Sequence, residues 1–121
     1  MSRRAVLRGD RVLGVDGHSD LLIEVVRRRL LGERAVISSQ FLPRLREGGL
    51  HIAFLMVGGD FPLLAGDAPD SNIQACYAEL MDAVCEEVSE SSDELFLVLG
   101  ARDLDREESD GRFGIVLHWE G

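Results

Sequence analysis

Val15-Asp16-Gly17-His18-Ser19-Asp20 sets an imidazole and a carboxylate two residues apart, just after a short apolar run. At the end of a strand, side chains i and i+2 project from one face, so His18 and Asp20 can share one divalent ion. A mixed nitrogen and oxygen set of this kind suits zinc, manganese or cobalt. The competing reading is a polar turn, in which Asp20 caps the helix that follows and His18 is solvated. Glu120 stands at the end of another apolar run and would face the same region if both runs are parallel strands; alone, it reads as a solvated terminal carboxylate. His118 shares Glu120's face two residues deeper, where it either supports a site or fills the interior. Asp60 follows Gly58-Gly59 in a turn that would shape a pocket. A phosphate cradle there is unsupported, because neither GxGxxG nor a Walker lysine is present. His51 opens the second apolar run, at the end away from a barrel active face, and reads as structural. Arg27, Arg28 and Arg29 read as the solvated side of a helix. No Ser/His/Asp or Cys/His nucleophile set can be assembled.

Composition narrows the chemistry further. The 121 residues carry 13 basic and 22 acidic side chains, a net charge of −9, which makes nucleic-acid backbone and anionic membrane poor partners. Every basic residue is arginine. A Schiff base, a phosphate-loop lysine and a carboxylated lysine bridging two metals are therefore all ruled out. Cys76 and Cys85 lie nine residues apart; on one helix that is about 13 Å, too far for a disulfide, so they read as free core or groove thiols, and a reducing compartment fits. Met1 to Arg8 is followed by no apolar stretch of signal-peptide or membrane-span length, and a cytoplasmic protein is expected.

The elements that must position these residues follow from periodicity. Arg11–Val15, His51–Val57 and Arg112–His118 are apolar runs with the character of buried parallel strands. Leu21–Leu31 and Ser39–Glu47 are helix candidates, the second stopped by Gly48 and Gly49. Residues 58–70 form a turn-rich loop. Ser71 with Gln74 makes a capping box for a long helix whose stripe is Ile73, Tyr77, Leu80, Val84 and Val88. Glu94–Leu99 is a short extended piece and Ala101–Glu108 a weak helix. Strand, helix and strand in succession imply a parallel sheet, of the open doubly wound or the (β/α)₈ barrel kind. Three strands cannot close a barrel of eight, so residues 1–121 read as a single, incomplete domain.

These segments together resemble the N-terminal portion of the membrane dipeptidase family, the renal dipeptidase-like peptidases of family M19. The resemblance runs from Arg11 to Gly121 through VDGHSDLL, FLPRLREGG, YAELMDAV and GRFGIVLHWEG. It implies the N-terminal part of an amidohydrolase-type TIM barrel, with about three of eight strands present, and a zinc-dependent dipeptidase. His18 and Asp20 would bind one zinc and Glu120 would bridge two, acting as the catalytic carboxylate of a two-metal centre; Asp60 and His118 are candidate pocket residues. Ser19 stands where that family commonly has Asn, and His118-Trp119 where it commonly has Gly-Val.

In that family two further histidine ligands, and the groups that handle substrate and protons, lie in later strands. The expectation is that these 121 residues alone hydrolyse no dipeptide, bind zinc weakly, and self-associate through exposed sheet edges. A non-catalytic α/β interaction module and an amidohydrolase acting on another amide are the alternative functions.

Overall fold

The structure is a computed structural model that describes residues 7–8, 11–58, 73–104 and 111–120. Strands β1 (Leu7–Arg8) and β2 (Arg11–Val12) form a small antiparallel pair. There follow β3 (Gly14–Ser19), α1 (Leu21–Leu30), a π-helical turn (Ile37–Phe41) running into α2 (Leu42–Glu47), β4 (Leu50–Gly58), α3 (Ile73–Glu90), β5 (Leu95–Leu97) and β6 (Phe113–Glu120). The main sheet has the order β3-β4-β6-β5, and all three pairings are parallel.

Several expected boundaries move. The first strand of the sheet is not Arg11–Val15: Arg11 and Val12 pair with Leu7 and Arg8 instead, and the sheet strand runs through Asp16, Gly17 and His18 to Ser19. An apolar count misses it because an edge strand beside a buried neighbour needs apolar residues on one face only. The Glu94–Leu99 piece becomes a true fourth strand, beside β6. The last strand reaches Glu120, two residues beyond the expected end, because β4 offers partners as far as Gly58. Residues 101–104 make a helical turn. Asp60, the 58–70 loop beyond Gly58 and the Ser71 cap lie outside the described residues.

Strand alternation assigns the two faces of the sheet. Ala53, Leu55 and Val57 of β4 and Phe113 and Ile115 of β6 enter one core with Leu22, Val25 and Val26 of α1 and Leu80, Ala83 and Val84 of α3. Tyr77 and Val88 pack at its margin, so the α3 stripe from Tyr77 to Val88 faces the sheet as its period requires; the Ile73 side chain lies outside the described residues. Phe54 and His118 belong to the opposite face, where their rings meet edge to face with centroids 6.3 Å apart.

Arg29 is the departure from a solvated arginine run. Its side chain is only 8% exposed and forms ion pairs with Glu86, Glu87 and Glu90 of α3. Glu87 is fully buried, and its carboxylate also accepts the backbone N–H groups of Val36 (3.1 Å) and Ile37 (2.7 Å). Glu90 accepts the N–H of Ala35 at 2.9 Å, which holds that residue at φ +49°. Two carboxylates of α3 thus satisfy donors at the start of the π-helical turn that would otherwise be orphaned.

Two outcomes are expected. Leu80→Ala, which empties a fully buried position, should cost about 2 to 5 kcal/mol in urea unfolding; a loss under about 0.5 kcal/mol would mean the stripe is not the core. The hydrogen bonds from Arg29, with support from the Ala35 N–H, hold Glu90 down at about 2, below its ordinary 4.5 and against the opposing effect of burial. A carboxyl depressed in the folded state contributes stability that is full above its unfolded pKa and is lost as pH falls through the folded one. The melting temperature of the wild type should therefore drop between about pH 5 and pH 2 more steeply than that of Glu90→Gln, and equal slopes would reject this assignment.

Candidate metal centre

His18 and Asp20 reach one another through two local devices. The first is an irregularity in the β3–β4 pairing: Asp16 lies opposite Ala53 and Ser19 opposite Leu55, three residues of β3 against two of β4. This extra residue, at Gly17-His18, turns the strand end, as bulges near functional sites do. The Asp16 carboxylate accepts the His18 backbone N–H at 3.1 Å and fixes the turn.

The second device concerns the start of α1. Asp20 occupies the N-cap position but makes no side-chain cap hydrogen bond; the Ser19 hydroxyl accepts the Leu21 N–H instead, at 3.2 Å. With that donor satisfied by Ser19, the Asp20 carboxylate turns to the imidazole, and Oδ1 sits 3.4 Å from His18 Nε2. The capping reading of Asp20 therefore does not describe this turn. Both side chains remain half exposed, His18 at 50% and Asp20 at 62%. His18 also meets a second imidazole: the His118 ring of β6 lies edge-on to it, with centroids 5.1 Å apart.

Register brings the other candidate to the same end of the sheet. Glu120 pairs with Gly58, the last residue of β4, and so stands at the C-terminal end of β6 as His18 does of β3. The Glu120 side chain and Asp60 lie outside the described residues. Trp119, between His118 and Glu120, turns to the helical face and packs its ring on Tyr77, 5.3 Å between centroids. Among the described residues no three His, Cys, Asp or Glu side chains are already gathered around a point that would hold an ion. What is assembled is a His18–Asp20 pair with His118 beside it.

The base of β3 is held just as closely. His51 is structural: its Nδ1 accepts the Gly14 N–H at 3.0 Å. Gly14 itself passes so near the turn after α2 that a Cβ there would lie 2.0 Å from the Gly49 carbonyl oxygen. The short step from helix to β4 and the register of β3 both depend on this contact, which the spacing of the sequence does not reveal.

No protein-family model matches the sequence. No curated protein matches it either. Among solved structures it is similar to the crystal structure of dipeptidase AC, a metallopeptidase of family M19, with 18% identity and a TM-score of 0.68, over 90% of this chain and 35% of that one. The chain thus spans about a third of the length of the structure it matches. The likeness is one of fold: an α/β structure built on a parallel sheet.

Gly14→Ala is expected to destabilise the chain by about 1 to 3 kcal/mol in urea unfolding and to broaden or shift the His18 NMR resonances, because the strand must move off Gly49. Gly17→Ala, with open space around the added methyl, is the control and should change little. Equal effects from the two would show that the close approach does not position β3.

Proposed function

We propose that this chain carries the first part of a zinc-dependent dipeptidase centre, in which a metal-activated water attacks the peptide bond of a dipeptide. The observation that carries the reading is the His18–Asp20 pair at the C-terminal end of β3, 3.4 Å between donor atoms, in a fold similar to that of an M19 metallopeptidase. Active sites of parallel barrels lie at the C-terminal ends of the strands, which is where both this pair and Glu120 stand.

The residues present suit a divalent cation. They are an imidazole and a carboxylate with nearly adjacent donor atoms, half open to solvent, on a chain of net charge −9. His18 and Asp20 would hold the first ion, and Glu120 would link it to a second. When bound, such a metal pair supplies an activated water and polarises the substrate carbonyl. The chain's own contribution is orientation. The Asp16 carboxylate and Ser19 hydroxyl set the turn that aims His18 and Asp20, and the β4–β6 register brings Glu120 to the same edge. Further ligands would come from residues beyond those of this chain.

The absence of a gathered three-donor group among the described residues favours, as the second reading, a non-catalytic α/β module that keeps the same turn. Self-association is expected in either case: among the described residues β3 has no partner on its outer edge, and β5 covers β6 only as far as Ile115.

The test is dipeptide hydrolysis, assayed with and without added zinc. The 121-residue chain alone should show no turnover and should elute from size exclusion larger than a monomer. In a longer polypeptide containing it, zinc-dependent turnover should appear and should fall by at least about 100-fold in His18→Ala, Asp20→Asn and Glu120→Gln. Turnover indifferent to those three substitutions would reject the dipeptidase centre. Activity from the monomeric chain alone would reject the need for further ligands.

A further inference from the structure

We propose that His118 is a third protein ligand for the ion at the His18–Asp20 pair, so that β3, β6 and the turn after β3 together hold one zinc-class cation with two imidazoles and one carboxylate. The inference rests on the metal-centre reading above and extends it to a residue that the sequence offers only as a pocket candidate.

Three observations carry it. First, His118 Nε2 is buried and has no hydrogen-bond partner among the described residues. A buried polar nitrogen left unpaired is costly, and an imidazole lone pair is what a divalent ion of this class takes. Second, the spacing of the two rings suits a shared ion. With metal–nitrogen bonds of about 2.0 to 2.1 Å, about 1.1 Å more to each ring centre and a tetrahedral angle, two ligating imidazoles have centroids about 5 Å apart. Those of His18 and His118 are 5.1 Å apart. Third, two donors on one tetrahedral ion at those bond lengths lie about 3.3 to 3.4 Å from each other. His18 Nε2 and Asp20 Oδ1 are 3.4 Å apart.

The donors have still to close onto one point. The half-exposed His18 and Asp20 side chains can turn, whereas His118 is packed on Phe54 and anchored in the middle of a parallel pairing with β4. His118 would therefore be the fixed member on which the other two converge. The expectation of weak zinc binding counted only His18, Asp20 and half a bridge; a second imidazole raises it.

The test uses zinc alone, titrated calorimetrically into the 121-residue chain, with the imidazole ¹⁵N resonances followed by NMR. A single zinc should bind, His118→Ala should weaken it by about tenfold or more, as His18→Ala and Asp20→Asn do, and the His118 Nε2 resonance of the wild type should shift on loading. If His18→Ala and Asp20→Asn weaken binding while His118→Ala stays within about twofold and its resonance is unmoved, the His118 assignment fails and the metal-centre reading stands. If the wild type takes up no zinc, the His118 assignment fails and the metal-centre reading is decided by hydrolysis in the longer polypeptide; if all three variants bind as the wild type does, both fail. The wild-type resonance decides the matter even if His118→Ala does not fold.

Discussion

The buried meeting of Arg29 with Glu87 ties together segments that are far apart in sequence. Arg29 ends α1, Glu87 lies in the last turns of α3, and the carboxylate reaches on to the backbone N–H groups of Val36 and Ile37. A fully buried carboxylate is tolerable only when its charge and its lone pairs are both answered. Here the guanidinium answers the charge and the two N–H groups take up remaining acceptor capacity. Replacing such a pair by apolar residues can be nearly neutral, but removing one member leaves a buried charge uncompensated, at a cost of about 3 to 5 kcal/mol. The pair therefore acts chiefly to specify where α1, α3 and the start of the π-helical turn meet, with Glu86 and Glu90 as its more exposed flank.

That junction lies on the helical face, and it determines what the other face can offer. With α1 and α3 joined on one side, Ala53, Leu55 and Val57 of β4 and Phe113 and Ile115 of β6 are committed to the core and Phe54 and His118 to the opposite side. α1 is also the helix that begins at the His18–Asp20 turn. Its placement by Arg29 at one end sets the exit of β3 at the other, so the position of two candidate ligands depends on an ion pair at the far end of a ten-residue helix.

The short-range devices at the turn are of a different kind. Ser19, not Asp20, accepts the first free N–H of α1, and the extra residue at Gly17-His18 turns the strand end. Each spares the candidate ligands from structural duty. A carboxylate occupied in capping a helix would have little freedom left to face an imidazole.

Much of this was legible in the amino-acid order. The long helix with Leu80 and Val84 inward, the Gly48-Gly49 stop and the apolar centre of β4 follow from period and turn chemistry, which depend only on near neighbours. The His18-x-Asp20 pair was visible for the same reason, since two residues in one turn are close whatever surrounds them. The tertiary structure decided the rest. No local pattern distinguishes Arg29 from Arg27, because burial of the one depends on carboxylates about 60 residues away. The first sheet strand lay three residues later than its apolar run suggested, because its position depends on the register against β4. The contact of His118 with His18 joins residues 100 apart in the chain, and only the order β3-β4-β6 brings them to one face. Sequence determines what a residue can do chemically and which way its own turn or helix faces, because those interactions are short-ranged. Which distant residue it meets is decided by packing, through register and burial that no single segment contains.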